Sequence, residues 1–432
     1  MPPIRPDASE QRPPAGRSPH IWLLQDGEPL PTDESPRLMR TGDLARRLED
    51  AGFTVTWWTS RFNHGLKKYR DGPGGFLRQG DRYRLCLLDG PSYTRNLSLR
   101  RVRHYRSLAS EFGRLAEAEQ RPALIIGSLP SPELAFAGMR FARRHGVPFL
   151  IDIRDPWPDI FTSYFHPLAS WMLAPVVWYY RRMIRAIMRS ADNIVAVTES
   201  MLQWGLDYAG RARKARDAVF FIGYNKPRAE RPIVVPERFT EASPLICLFA
   251  TSCGNSYDGL TVVDAARILE ESGEKRVSFV LSGDGECRQQ WMDRAAGLTT
   301  VRFTGWISHD ELQQLFFTAH VGLILMRGGI TPFWLGNKFG EYLSTSLALI
   351  NNVAGEAATM VDTHRLGLNV PAKDPQAVAD AARTLLNAPD TVRQAMTNSR
   401  NVFNDVFERS RIYDRYVEYL REAVTPGDPH SS

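Results

Sequence analysis

The chain has 432 residues, 43% of them hydrophobic and 24% charged, with a formal net charge of +6. That length exceeds one ordinary core and sets an expectation of about two domains, and the composition excludes a disordered chain. The charge is unevenly spread: residues 1–230 hold eleven more basic than acidic side chains, whereas 231–432 hold five more acidic than basic. A basic half points to an anionic partner. A membrane of anionic lipids fits better than nucleic acid if apolar residues accompany the basic ones.

Residues 1–19 are rich in Pro and charge and lack an apolar core, so they read as a disordered tail and not as a signal peptide. From residue 20 onward, short β-branched or aromatic runs alternate with helical patterns closed by Gly, Pro or Asp. "HIWLLQ", "FTVTWWTS", "YRLCLLDG", "PALIIGS", "PFLIDIRD", "NIVAVTE" and "AVFFIGY" are the predicted strands of residues 20–224. Near-continuous apolar strands between amphipathic helices indicate a parallel sheet covered on both faces. Residues 225–244, with four prolines and many charges, read as a linker. The alternation restarts with "LICLFATS", "VSFVLSG", "TVRFTGW", "VGLILM" and "LALINN" over 245–405, and 406–432 supplies a final helix and polar tail. The expected fold class is α/β, with two doubly wound domains. Such sheets bind ligands beyond the carboxyl ends of their strands, so the natural site is the cleft between the domains.

Several polar groups fall at those ends. Gly27, after the first strand, gives the backbone room for a ligand. Arg37 and Arg40 enter the next helix, facing either the cleft or solvent. His64 follows the second strand as a candidate substrate contact. Arg154 and Asp155 end an apolar strand just before Pro-Trp-Pro, which forbids an immediate helix; they read as part of a site, with a structural ion pair as the alternative. Residues 166–193 combine Trp171, Trp178, Arg181, Arg182 and Arg185 at helical spacing, which describes an interfacial amphipathic helix on an anionic membrane or a packing helix with a basic face. The apolar run within it is too short to span a bilayer.

In the second half, Gly254 and Asn255 follow the first strand, ahead of a helix whose N–H groups suit a phosphate. Gly283 and Gly285 form either a close approach to a nucleotide or a plain turn. Trp306 and Ile307 follow "TVRFTG", where backbone can read a base edge. "GNKFGEY" reads in two ways. Asn337 can cap the helix above an exposed Lys338–Glu341 pair worth about 0.2–0.5 kcal/mol. Alternatively the helix N-terminus and Lys338 hold a diphosphate while Glu341 accepts from sugar hydroxyls. Neither a dinucleotide fingerprint nor a P-loop occurs. The four cysteines, Cys86, Cys247, Cys253 and Cys287, form no CxxC pair, which fits a reducing cytoplasm and argues against zinc. No carboxylate cluster suggests a bound metal, and no cofactor is expected.

Taken in order, "GEPLP", "TGDLARRLEDAGFTVTWWTS", "FNHGLKK", "IDIRDPWPD", "ADNIVAVTES", "SGDGE" with "VRFTGW", and "NKFGEYLSTSLALI" resemble glycosyltransferase family 4, the retaining GT-B enzymes. The likeness spans roughly residues 20–405 and points to the bacterial branch that builds surface polysaccharides on lipid-linked intermediates. It implies two Rossmann-like domains facing across a cleft, with a UDP- or GDP-linked sugar held mainly by the second. Glu341 matches the second Glu of the family's Glu–seven residues–Glu motif, which holds the ribose, and Gly27 matches the phosphate-side glycine loop. Arg154-Asp155 takes the place of a His-Asp pair near the sugar, and Gly285 and Trp306 fall in the nucleotide loops. The chain departs from the pattern twice. Phe333 stands where the first Glu would fall, and "CGNSYDGL" lacks the usual Arg and Lys, leaving Lys338, with Arg327, to supply positive charge. The resemblance implies metal-independent transfer with retention to a glycan or polyprenyl-linked acceptor at the inner face of the cell membrane, with Arg40 and His64 on the acceptor side. A GT-B-fold nucleotide-sugar epimerase and a catalytically degenerate glycan-binding partner remain the alternatives.

Overall fold

In a computed structural model of the protein, the described residues are 18–34, 38–95, 98–159, 167–227, 230–327, 333 and 335–425, with backbone alone for 167–173. The first domain runs β1 (His20–Leu24), α1 (Arg40–Asp50), β2 (Thr54–Ser60), β3 (Phe62–Asn63), β4 (Lys68–Tyr69), β5 (Gly75–Arg78), β6 (Tyr83–Leu88), α2 (Leu99–Ala116) and β7 (Leu124–Leu129). It continues with α3 (Pro132–His145), β8 (Phe149–Ile153), α4 (Pro167–Ser190), β9 (Asn193–Ala196), α5 (Glu199–Ala209) and β10 (Ala218–Val219). Eight strands form one sheet in the order β10-β9-β8-β7-β1-β2-β6-β5, parallel except for the antiparallel edge strand β5. Trp57 and Trp58 show why its strands read as unbroken apolar runs. Neighbours along a strand point to opposite faces, and both rings are fully buried, each in a different core cluster. Helices cover both faces.

The second domain comprises β11 (Leu245–Ala250), α6 (Gly259–Glu271), β12 (Val277–Ser282), α7 (Arg288–Arg294), β13 (Val301–Gly305), α8 (His309–Thr318), β14 (Val321–Ile324), α9 (Asn337–Ser344), β15 (Ala348–Asn351), α10 (Glu356–His364), β16 (Gly367–Asn369), α11 (Pro375–Leu386) and α12 (Pro389–Val402). Its six parallel strands are ordered β13-β12-β11-β14-β15-β16. Two helix starts show the sequence setting a terminus. Ser308 and Glu311 form the capping box expected of α8, and Asp374 caps α11 ahead of Pro375.

The chain crosses between domains twice, and the crossings pair. Tyr224 N–H donates to Phe407 O at 2.9 Å and Arg409 N–H donates to Tyr224 O at 3.0 Å. A π-helical turn, Phe403–Phe407, follows α12 there, and α13 (Arg409–Val424) returns to the first domain. Its Ile412, Tyr413, Tyr416 and Leu420 bury against Ile21, Leu44, Leu48 and Phe220, and Phe220 stacks on Tyr416 at 4.3 Å. The 225–244 stretch forms no regular element among its described residues but is pinned to the second domain. Phe239 is fully buried, and Arg231 Nη1 donates to Thr345 O at 3.1 Å. Among the described residues no helix is long and apolar enough to cross a membrane.

Candidate functional site

On the second domain the loops after β11, β12, β13 and β14 meet. Gly254 has open space around it, its nearest outside atom being Ser252 Oγ at 3.7 Å from an added Cβ. Asn255 Nδ2 donates to Glu286 Oε1 at 2.5 Å, while Arg327 Nη1 reaches Asn255 Oδ1 at 3.5 Å. Arg327 therefore brings a cation to the loop that lacks the usual basic pair. Gly283 and Gly285 adopt φ of +128° and +153°, and a Cβ on either would fall 1.7 Å from Thr251 O or 2.1 Å from Ser252 O. Packing of the β12 loop on the β11 loop accounts for both glycines, so the turn chemistry explains them without a ligand. Trp306 is 82% exposed just past β13, with Ile307 half-buried beside it. An indole held open at a strand end is a stacking surface for a base.

At α9 the N-cap is Gly336, and no side chain caps the helix; Asn337 is its first, exposed residue and not the cap expected of it. Lys338 Nζ donates to Glu341 Oε2 at 2.7 Å, with the two side chains 22% and 32% exposed. The cation and carboxylate thus hold each other at the first turn of α9, which no side chain caps and where an anion is favoured. Tyr257, which carries no signal in the sequence, joins them. Burial raises its hydroxyl pKa, and the Glu341 carboxylate raises it further, so the two groups are neighbours. Directly beneath, the fully buried Tyr342 accepts from Ala250 N–H at 3.0 Å and locks α9 to β11.

On the first domain, Gly27 sits exposed at φ +88° with nothing within 4 Å of an added Cβ, so this bend leaves backbone open to the cleft. Arg40 binds Asp152 through Nε at 2.9 Å and Nη2 at 3.1 Å, and Phe220 O through Nη1 at 2.8 Å. Arg154 pairs with Glu28 and Asp152 and donates to Thr41 Oγ1 at 2.8 Å and Ser128 Oγ at 3.1 Å. Burial alone would raise the Asp152 carboxyl, but Arg40 and Arg154 overcome it and hold the pKa below its ordinary value. The ion pairs match the structural alternative for Arg154 and give Arg40 a structural partner beside the acceptor contact expected of it. Both guanidiniums are consumed in a buried lattice that ties β1, β7, β8 and α1 together. Asp155, one residue on, is different. Burial pushes its pKa from 3.8 to about 6, with Arg154 pulling against that, and no described group donates a hydrogen bond to its carboxylate.

His64 stands in a cationic group that the sequence did not delimit. Its Nδ1 lies 2.5 Å from Tyr93 Oη and 3.4 Å from Lys67 Nζ, and Lys67 lies 4.8 Å over the Tyr93 ring. Burial first, then Lys67, Arg101 and His104, lower the His64 pKa to about 4. Asp26, beside Gly27, is buried with a raised pKa, and Ser131 donates to it. Asp26 was missed because a lone Asp before Gly reads only as a turn.

Arg37, ahead of α1, and the side chain of Trp171, on the basic helix, lie outside the described residues. On α4, Trp178 is 64% exposed and Arg182 stacks over it at 5.8 Å, with Arg185 exposed a turn on. Arg181 is paired with Asp159 at 2.7 Å. Arg106 of α2 lies 5.6 Å over Tyr179, joining α2 to the same face.

Two doubly wound, mainly parallel α/β domains joined in this way have the GT-B architecture. Residues 39–216 match the family described as glycosyl transferase 4-like domain, and residues 245–388 match glycosyl transferases group 1. The chain belongs to the family 4 glycosyltransferases of GT-B fold. It is 28% identical over 171 residues to O-antigen chain mannosyltransferase C of Escherichia coli, covering 37% of this chain and 42% of that protein. It is 26% identical over 261 residues to a GDP-mannose-dependent alpha-mannosyltransferase of Mycobacterium tuberculosis, covering 58% and 62%. The matches thus span less than two thirds of either relative. The solved sucrose-phosphate synthase of Thermosynechococcus elongatus superposes with a TM-score of 0.64 at 18% identity, over 94% of this chain and 98% of that one, a likeness of fold.

Proposed function

We propose that the protein moves a hexose, mannose first among the candidates, from a nucleotide-sugar to a glycan or polyprenyl-linked acceptor with retention, in cell-surface polysaccharide or glycoconjugate assembly. The observation that carries this reading is the Lys338–Glu341 pair at the uncapped start of α9, flanked by Tyr257 and facing the loops that hold Trp306 and Arg327. A donor diphosphate would take Lys338 and the α9 N–H groups, releasing Glu341 to the ribose; stabilising the departing diphosphate in this way needs no metal. The base would stack near Trp306. Gly27 lets the first domain approach the sugar, and Asp155 stands at the strand end opposite. The acceptor would enter past His64, where the local excess of positive charge suits a phosphate-bearing lipid intermediate. The α4 face, with Trp178, Arg182 and Arg185, would rest on anionic lipid at the inner face of the cell membrane.

Both curated relatives are named as mannosyltransferases, one as dependent on GDP-mannose, which puts that donor first in an assay. The test is transfer from radiolabelled GDP- and UDP-sugars to a membrane fraction, with and without a chelator, and the product anomer read by proton NMR. Chelator-resistant transfer with the donor's anomeric configuration is the expected result. An inverted product or abolition by chelator would remove those parts of the proposal. Conversion of free nucleotide-sugar without acceptor would favour an epimerase, and neither transfer nor hydrolysis across the panel would sink the account.

A further inference from the structure

Phe333 replaces the carboxylate that the family motif places at that position, and the donor site does not use it. Its ring instead reaches the first domain, where it packs on the core cluster that contains Ile153, Met201 and Trp204. Nearby, Glu356 opens α10 after Gly355, whose φ is +77°. The Glu356 carboxylate accepts from Glu199 N–H at 3.3 Å, Ser200 N–H at 3.0 Å and Ser200 Oγ at 2.7 Å. Those are first-turn groups of α5, on the other domain. An anion at a helix start gains from the oriented N–H groups and from the macrodipole. Glu199 itself is turned away to Arg213, at 2.9 Å, so its charge does not oppose the newcomer.

We propose that Phe333 and Glu356 form a two-point clasp by which the second domain grips α5 and holds the cleft closed. The apolar point and the charged point stand on successive strand-end loops, after β14 and before α10, the same edge of the sheet that carries α9. Closing the clasp therefore fixes α9, and with it Lys338, relative to the first domain. Beside the clasp lies an open groove of about 520 Å³ lined by Phe333 and by Glu199, Ser200, Gln203, Trp204 and Asp207. A grip of two local contacts can release for substrate entry and product release. This makes Phe333 and Glu356 positioning residues, and the substitution at 333 a gain of interdomain contact in place of a lost sugar contact. The effect on turnover rests on the transfer reading, whereas the clasp itself does not.

Small-angle scattering of the full chain tests the clasp without any assay. A compact chain of this length has a radius of gyration of about 22 Å. In Glu356→Ala, Ser200→Ala and Phe333→Ser it should rise by on the order of 1 Å, with Glu356→Gln between Glu356→Ala and the parent. The Ser200→Ala and Glu356→Ala changes should not add, because Glu356→Ala already removes the one hydrogen bond that Ser200→Ala breaks. In 1 M salt, where the screening length is about 3 Å, the parent should open toward the Glu356→Ala value. For turnover, kcat should fall about tenfold in Glu356→Ala while calorimetric affinity for GDP or UDP stays within about twofold of the parent. Scattering from Glu356→Ala and Ser200→Ala identical to the parent's would overturn the proposal. So would a collapse of nucleotide affinity in Glu356→Ala, which would place Glu356 in the donor site.

Discussion

Asp155 carries the clearest conflict between stability and use. Burial holds its folded pKa near 6 against an ordinary 3.8. The proton it retains stabilises the folded state below about pH 4, and that contribution is lost as pH rises through about 6. At pH 8 the carboxylate is charged in a desolvated place. Asp155→Asn should therefore raise unfolding free energy at pH 8 by up to about 3 kcal/mol and change it little at pH 4, as read by urea titrations at both pH values. If the charged form serves transfer, the parent's rate should climb with pH through about 6 and the Asn variant should be slow and flat. Equal stability at pH 8 would show that the carboxylate is solvated. The glycines allow a second comparison. Gly283→Ala drives a Cβ into Thr251 O at φ +128° and should cost about 2–4 kcal/mol. Gly27→Ala meets no atom at φ +88° and should cost about 1 kcal/mol, with its larger effect on turnover. Thermal denaturation of the two separates a packing glycine from a cleft glycine.

At the scale of elements, what could be read from sequence follows from which contacts are local. β1, β2, β6–β9, β11, β12, β14 and β15 were legible because a two-sided buried strand leaves a largely apolar run, and the edge strand β13 because β-branched and aromatic residues lead into a Gly turn. β16 is three residues long and β3 and β4 two each, too short to show a period. The capping box of α8 was visible because all its partners lie within four residues. The partners of Arg40 and Arg154 were not legible for the opposite reason: Asp152, Glu28 and Phe220 are brought to them by the fold. Lys338 and Glu341 were found because their pairing is intrahelical, but Tyr257 comes from another loop. α4 is testable as an element. Trp178→Ser and the pair Arg182→Glu with Arg185→Glu should each weaken sedimentation with vesicles containing anionic lipid, by about fivefold per basic residue removed, while sparing neutral vesicles. Unchanged sedimentation would return α4 to an ordinary packing helix.

For the molecule as a whole, the domain boundaries in sequence do not coincide with the cores. The 406–432 segment, separable on paper, supplies α13, whose Tyr416 and Leu420 are fully buried in the first domain. A chain ended at 405 should expose that face of the first sheet and lose its cooperative unfolding transition, as followed by circular dichroism. Retention of a sharp transition would mean that α13 is dispensable. The return of α13 and the paired crossings at Tyr224 and Phe407 tie the two domains together. The nucleotide is expected on the second.

That expectation is most directly met by calorimetric titration of GDP and UDP into the parent chain and Lys338→Ala. The account predicts that one nucleotide binds the parent at one site per chain and that Lys338→Ala weakens it by about 10- to 100-fold, the value of a lost charge-assisted contact of roughly 1.5–3 kcal/mol. Equal affinity in the two proteins, or no binding of either nucleotide to the parent, would contradict it.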